Sequence, residues 1–330
     1  MKQIKVTLKT ITPLWTGDAW QENTKIRPSS LMGSLRFWFY IYSKAFNIPT
    51  EKLNDKGIPS DNLDEYIRKY NKINYQKHTF ESLLKLESKD LEENEDINNA
   101  IKKVLNKINL PLISQIFGCT GWKSQVTIKN IDVQNFEIKK SDVDYSFLYK
   151  KMNTRAIHSS FWTNKLLFKH EDKIIFFKNV KFYFYVADIY FDDIKRFLKF
   201  YENKIILVGG KKSFGLGFCN ISSDLDLEGI KLPDIENKIF IAEKISIPDL
   251  PANEVVLGFN FKHYQRLKEE KRFRVTNFGK QGQASKFFFS AYDPDNFSDI
   301  YVFGFKDELK EELFNHLLNK YKNFEENRKE

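Results

Sequence analysis

The chain has 330 residues, 53 Lys+Arg against 44 Asp+Glu, and a formal net charge of +9. At this length it forms two domains or one elaborated domain, and a hydrophobic content of 42% with 15% aromatics, 31 of them Phe, supplies a core and excludes global disorder. Two distant cysteines, Cys119 and Cys219, exclude a disulfide scaffold and a thiolate zinc site and suit a reducing cytoplasm, while the absence of an apolar leader or of any apolar run near 18–20 residues argues against a signal peptide or a membrane span.

Residues 2–11 alternate, with Ile4, Val6 and Leu8 on one face and Lys5, Thr7 and Lys9 on the other, the pattern of a half-buried strand. Thr12–Asp18 forms a loop. Pro28 opens a helix, where its missing N–H costs nothing, and Leu31, Leu35, Trp38 and Tyr42 form its inner stripe. Residues 47–110, rich in Asn, Lys, Asp and Glu, are expected to be a partly mobile helical insertion without a core of its own, with helical fragments at Phe80–Leu86 and Ile97–Ile108. Gln125–Phe136 is predicted as a strand with a bulge between Ile128 and Ile131. Residues 137–173 are expected to be irregular.

Lys178–Asp188 alternates again, Val180, Phe182, Phe184 and Val186 inward and Lys181, Tyr183 and Tyr185 outward. Asp192–Asn203 is predicted as a helix, followed by a glycine-rich loop at 209–217 and a short strand, Phe218–Ile221. Strand, helix, strand, strand, helix, strand is the order of the ferredoxin-like βαββαβ unit. The predicted fold is therefore α+β. The prolines at 233, 248 and 251 mark a boundary, giving residues 1–235 as the first domain. A smaller second domain over 236–330 has strands near Glu254–Phe261, Lys286–Tyr292 and Ile300–Phe305, and a closing helix with Leu309, Leu313, Leu317 and Tyr321 on one face.

Three constellations are candidates for function. In the first, Ser29, Gly33 and Arg36 fall on one helical stripe away from the core stripe. Glycine inside a helix costs roughly 1 kcal/mol relative to alanine, so its presence suits close approach of a ligand or of another backbone. With Ser29 and Ser30 at the helix start and Lys25, Arg27 and Arg36 around it, the segment forms a phosphate cradle. An ordinary helix start with a glycine that permits tight packing fits the same residues.

The second is Gly209-Gly210-Lys211-Lys212-Ser213-Phe214-Gly215-Leu216-Gly217. It has neither the order nor the downstream helix of a Walker loop, and it reads as an anion-binding nest or as a flexible connection. The third is Arg266, Arg272 and Arg274. They are three of only nine arginines and are interleaved with Phe, which suits phosphate clamping with base stacking or a solvated basic hairpin. Catalytic signatures are lacking: the five histidines show no metal-binding spacing. His158 could act as a general acid or base in metal-independent RNA cleavage.

Thr12-Pro13-Leu14-Trp15-Thr16-Gly17 followed by Ile26-Arg27-Pro28-Ser29-Ser30-Leu31-Met32-Gly33-Ser34-Leu35-Arg36-Phe37-Trp38 resembles the N-terminal signature of the RAMP superfamily of CRISPR proteins. The form R-P-S-S-L-x-G-x-L-R-F-W is most similar to that of the first RAMP subunit of the type III-B (Cmr) effector complex. Ile116-Phe117-Gly118 with the strand after it, and the glycine-rich loop, resemble two further family motifs.

The resemblance implies two ferredoxin-like, RRM-related domains and a non-catalytic, cofactor-free subunit. Such a subunit would bind CRISPR RNA and target RNA toward the 3′ end of the guide, beside another RAMP subunit of the complex. By position it assigns Lys25, Arg27, Ser29, Ser30, Gly33 and Arg36 to an RNA-facing helix motif, and Lys211, Lys212 and the loop glycines to a second contact. A metal-independent endoribonuclease that processes CRISPR RNA and a mainly protein-binding structural cap of the complex are the alternatives.

Overall fold

The computed structural model describes residues 1–17, 23–55, 57–89, 97–144, 164–168, 171–232, 240–247, 250–259, 261 and 287–305. Strand β1 (Lys2–Thr10) is central in a five-stranded antiparallel sheet of order β2-β3-β1-β5-β4. The other strands are β2 (Val126–Lys139), β3 (Lys173–Val186), β4 (Ile205–Leu207) and β5 (Phe218–Ser223). Ile4, Val6 and Leu8 bury toward helices α1 (Pro28–Ala45) and α6 (Phe191–Tyr201), and share one core with Leu35, Trp38, Phe182, Phe184 and Phe197.

The bulge expected near Ile128–Ile131 is present. The register passes from Lys129↔Tyr183 to Asp132↔Lys181, with Asn130 in the left-handed region. A second shift, from Asp132↔Lys181 to Gln134↔Lys178, spans Asn179, which is also left-handed. Paired bulges bend and twist a two-stranded ribbon. Beyond them Ile138, Ile174 and Phe176 join a second cluster with Phe214, Leu216, Leu257, Ala291 and Phe297.

Between α1 and β2 stand α2 (Leu63–Asn74), α3 (Phe80–Lys89), α4 (Ile97–Lys107) and α5 (Leu112–Phe117). This corrects the expectation of a coreless insertion, because Leu63, Ile67, Leu83, Val104, Leu105 and Ile108 form a small core there. Polar clamps fasten it to the main body. The buried Asp61 carboxylate accepts from Ser114 Oγ at 2.7 Å and from Tyr66 OH at 2.9 Å. Lys102 Nζ reaches Asp193 of α6 at 3.0 Å. The Asn, Lys and Glu that dominate the composition line the outside of these amphipathic helices and conceal the apolar stripe.

A second, three-stranded antiparallel sheet has the order β6-β8-β7, from β6 (Phe240–Ile245), β7 (Phe287–Phe289) and β8 (Ile300–Phe305). It packs on the helices of the first unit. Trp38 of α1 meets Phe240 at 5.4 Å and Phe303 at 5.9 Å between ring centroids.

Here too the structure departs from the pattern reading. Glu254–Phe261 is not a strand: Val255 and Val256 make single bridges to Val143 and Tyr292, and the chain then turns. Short β4 and half-buried β6 were not anticipated, since neither alternates. Residues 137–139 and 173, expected to be irregular, belong to β2 and β3, and β3 begins five residues before the predicted Lys178. The closing helix at 309–321 lies outside the described residues.

Candidate nucleic-acid interface

Arg27 is the N-cap of α1, in extended conformation, and Pro28 follows as its first helical residue. No acidic residue occupies the first turn and no side chain caps it, so the partial positive charge of the helix start is reinforced by exposed Lys25 and Arg27. Ser29 and Gly33 are exposed. A Cβ built on Gly33 meets nothing within 4 Å. Among the described residues, packing therefore does not require this glycine, which favours the reading built on approach of a ligand over the one built on tight internal packing.

Arg36 does not belong to that open stripe. Its Nε donates to Glu51 Oε2 at 2.9 Å and its Nη1 to the Gly118 carbonyl at 2.8 Å, while its Nη2 also pairs with Glu51. The guanidinium fork closes on a carboxylate and a helix-end carbonyl, a geometry lysine could not supply. Burial raises the Glu51 carboxyl above the usual range, and Arg36 works against that rise. Arg36 is a fastener between α1, the Glu51 segment and the end of α5.

The exposed face of α1 instead runs through Ser30, Gly33, Ser34 and Phe37, spaced i, i+3, i+4, i+7. Ser30 Oγ donates to the Thr16 carbonyl at 3.3 Å, and Ser34 Oγ accepts the Gly209 N–H at 3.2 Å. The Gly210 N–H donates to the Trp15 carbonyl at 2.7 Å. The helix motif, the Trp15-Thr16 loop and the glycine-rich loop thus converge in one corner. Thr16 Oγ1 is buried there without a hydrogen-bond partner.

The glycines do not form a nest of free donors. The N–H groups of Gly209, Gly210, Gly215 and Gly217 are all committed within the chain. Gly209 has φ +80°, and a Cβ on it would lie 2.5 Å from the Trp15 carbonyl oxygen. What the loop offers a ligand is its side chains. Lys211 Nζ lies 4.8 Å from the Trp15 ring centroid and Lys212 Nζ 5.5 Å from that of Phe37, a residue 39% exposed. Lys212 is partly buried, and burial lowers its pKa. Both ammonium groups are thus held over aromatic rings. Ser213 lies in the short 3₁₀ turn Lys212–Phe214.

The structure therefore joins Ser30 and Ser34 of α1 to the Trp15-Thr16 loop and the glycine-rich loop, with Lys211 beside Trp15 and Lys212 beside Phe37, leaves Lys25, Arg27, Ser29 and Gly33 exposed along the start of the same helix, and commits Arg36 elsewhere. Trp15, Thr16, Ser34 and Phe37 were missed. The i, i+3, i+4, i+7 spacing from Ser30 could have identified two of them. Arg266, Arg272, Arg274 and His158 lie outside the described residues. Among the described residues no cluster of His, Cys, Asp or Glu could hold a metal ion, and no helix is long and apolar enough to cross a membrane. Burial pushes the half-buried Cys119 thiol up to about 11, and the buried Cys219 thiol higher still.

Among solved structures the chain is similar to Cmr1 from Pyrococcus furiosus in its apo form, at 12% identity and a TM-score of 0.42, covering 92% of this chain and 88% of that one. It is also similar to Cmr4, at 14% identity and a TM-score of 0.24, and to oligomeric Cmr4 from Pyrococcus furiosus, at 12% and 0.23, each covering 67% of this chain and 98% of the other. A comparison with curated proteins gave no match. The model of the RAMP superfamily matches residues 7–220, a span that contains the whole corner built by α1 and the glycine-rich loop. The chain belongs to the RAMP superfamily.

Proposed function

We propose that this chain is a non-catalytic RNA-binding subunit of a type III-B CRISPR (Cmr) RNA-targeting complex. In this reading it holds CRISPR RNA and its target toward the 3′ end of the guide, next to another RAMP subunit. Two ferredoxin-like units carry the function. The order β2-β3-β1-β5, with α1 after β1 and α6 after β3, supports the first of them, and the small sheet β6-β8-β7 is the described part of the second. Lys25, Arg27, Ser29, Ser30, Lys211 and Lys212 contact the phosphates.

The observation that carries this reading is Gly33. It is an exposed glycine inside an 18-residue helix, with open space where a side chain would stand, flanked by basic residues and a helix start. A backbone from outside the chain accounts for it. The test is binding of single-stranded RNA by Gly33→Ala and Lys212→Met. Gly33→Ala stabilises the free chain by about 1 kcal/mol in chemical denaturation and still weakens RNA binding. Lys212→Met removes a partly buried charge, leaves the fold intact, and lowers the slope of log K against log salt by about 0.7. Unchanged affinity in both variants would sink the proposal.

A further inference from the structure

The sheet has a second face, and α1 and α6 do not touch it. Inward positions of β1, β3 and β2 are filled by Ile4, Val6, Leu8, Phe182, Phe184 and Ile128, all buried. Their outward neighbours differ in chemistry. Lys5 and Lys9 come from β1, Lys129 from β2, and Lys181, Tyr183 and Tyr185 from β3. The four lysines are exposed and both tyrosines are half-exposed.

Register brings them together. Tyr183 sits on the central strand pair between Lys5 on one side and Lys129 on the other. Lys129 Nζ lies 5.4 Å from the Tyr185 ring centroid. The two tyrosines are two residues apart, hence about 7 Å along the strand on the same face. Among the described residues neither ring meets another ring or belongs to a core cluster. Two carboxylates share this face. Asp132 lies opposite Lys181, and Asp224 accepts the Lys5 backbone N–H at 2.9 Å.

We infer that this face is a second RNA surface, separate from the α1 corner, on which single-stranded bases stack on Tyr183 and Tyr185 while Lys5, Lys9, Lys129 and Lys181 follow the phosphates. Charge complementarity selects the occupant: four exposed cations against two carboxylates, Asp132 and Asp224, match a polyanion. The two rings select a strand whose bases are unpaired, since a duplex presents only its edges and backbone to a flat sheet. A protein partner matching this face would need a concentrated acidic strip, and the exposed tyrosines would add little to it.

The test uses the full chain with a fluorescein-labelled polyuridine 20-mer and with duplex RNA of equal length. Tyr183→Ala/Tyr185→Ala weakens polyuridine binding about tenfold or more at unchanged thermal stability. Tyr183→Phe/Tyr185→Phe keeps it, because stacking needs the ring and not the hydroxyl. Lys5→Ala/Lys129→Ala reduces the salt slope by about 1.4. Photocrosslinking with 4-thiouridine RNA, read by mass spectrometry, marks the peptide containing Tyr183 and Tyr185, and does so also in Gly33→Ala. The inference is overturned by crosslinks confined to the 209–217 loop, by equal affinity for duplex and single strand, or by full RNA affinity in the alanine pair. It is equally overturned if that pair loses only assembly with protein partners.

Discussion

Arginine is scarce in this chain, and two of its positions in one helix serve opposite ends. Arg27 stands exposed at the helix start, whereas Arg36 is spent on Glu51, whose side chain is only 3% exposed. Removing one partner of such a pair leaves a buried charge without compensation, which costs about 3–5 kcal/mol. Arg36→Ala is therefore expected to lower stability by that amount at pH 7, read from denaturant midpoints. The pH dependence follows from the raised Glu51 pKa. A carboxyl whose native pKa lies above its unfolded value, about 4.3, favours the fold when protonated, and that advantage is lost as pH rises through the native value. Without Arg36 the native value rises further. The deficit of Arg36→Ala is then largest at neutral pH and narrows as the pH is lowered toward 5, and a gap that stays constant over this range would contradict the assignment.

At the scale of elements, the glycine-rich loop is held on two sides. Gly209 and Gly210 bind the α1 corner, and the Gly215 carbonyl accepts the Ala291 N–H at 2.9 Å beyond the end of β7. Gly215 has φ +84°, and a Cβ there would lie 2.3 Å from the Ala291 nitrogen. Gly215→Ala is expected to cost about 2 kcal/mol or more, through backbone strain and displacement of the second sheet, seen as a fall in melting temperature together with weaker RNA binding.

Much of this arrangement was legible in the sequence. β1, α1, the β2 bulge, β3 and α6 were found because period and proline placement are local properties. Arg36 was misplaced because its partners, Glu51 and Gly118, arrive from distant segments, and helical spacing alone assigns it to the same stripe as Ser29 and Gly33. β6 escaped because Phe-Ile-Ala-Glu-Lys-Ile does not alternate: its first four residues are half-buried, Lys244 is exposed and Ile245 is buried. The loop glycines were recognised as a unit, but the destination of their N–H groups is set by tertiary contact.

Over the whole molecule the two sheets are not independent. Trp38 donates its Nε1–H to the Leu207 carbonyl at 2.9 Å, receives the Tyr201 hydroxyl on its own carbonyl at 2.8 Å, and packs on Phe240 and Phe303 of the second sheet. A chain ended at residue 235, the boundary suggested by composition, would expose that aromatic cluster. It is expected to aggregate on expression or to give a broad, weakly cooperative melt, and a sharp transition like that of the full chain would contradict this. Among the described residues, exposed positive charge marks both the start of α1 and the outer face of the first sheet. The paired bulges of β2 and β3 bear on how this architecture tolerates insertions and deletions. Val126↔Val186 before them and Lys139↔Lys173 after them lie in the same register, so the two extra residues cancel. Asn130 and Asn179 are each the extra residue of their own strand, so losing either one leaves the flanking pairs in place and closes the ladder between them without exchanging faces. Single-residue losses at these two positions are therefore expected to straighten the ribbon and keep its faces, whereas a loss elsewhere in either strand slips the register.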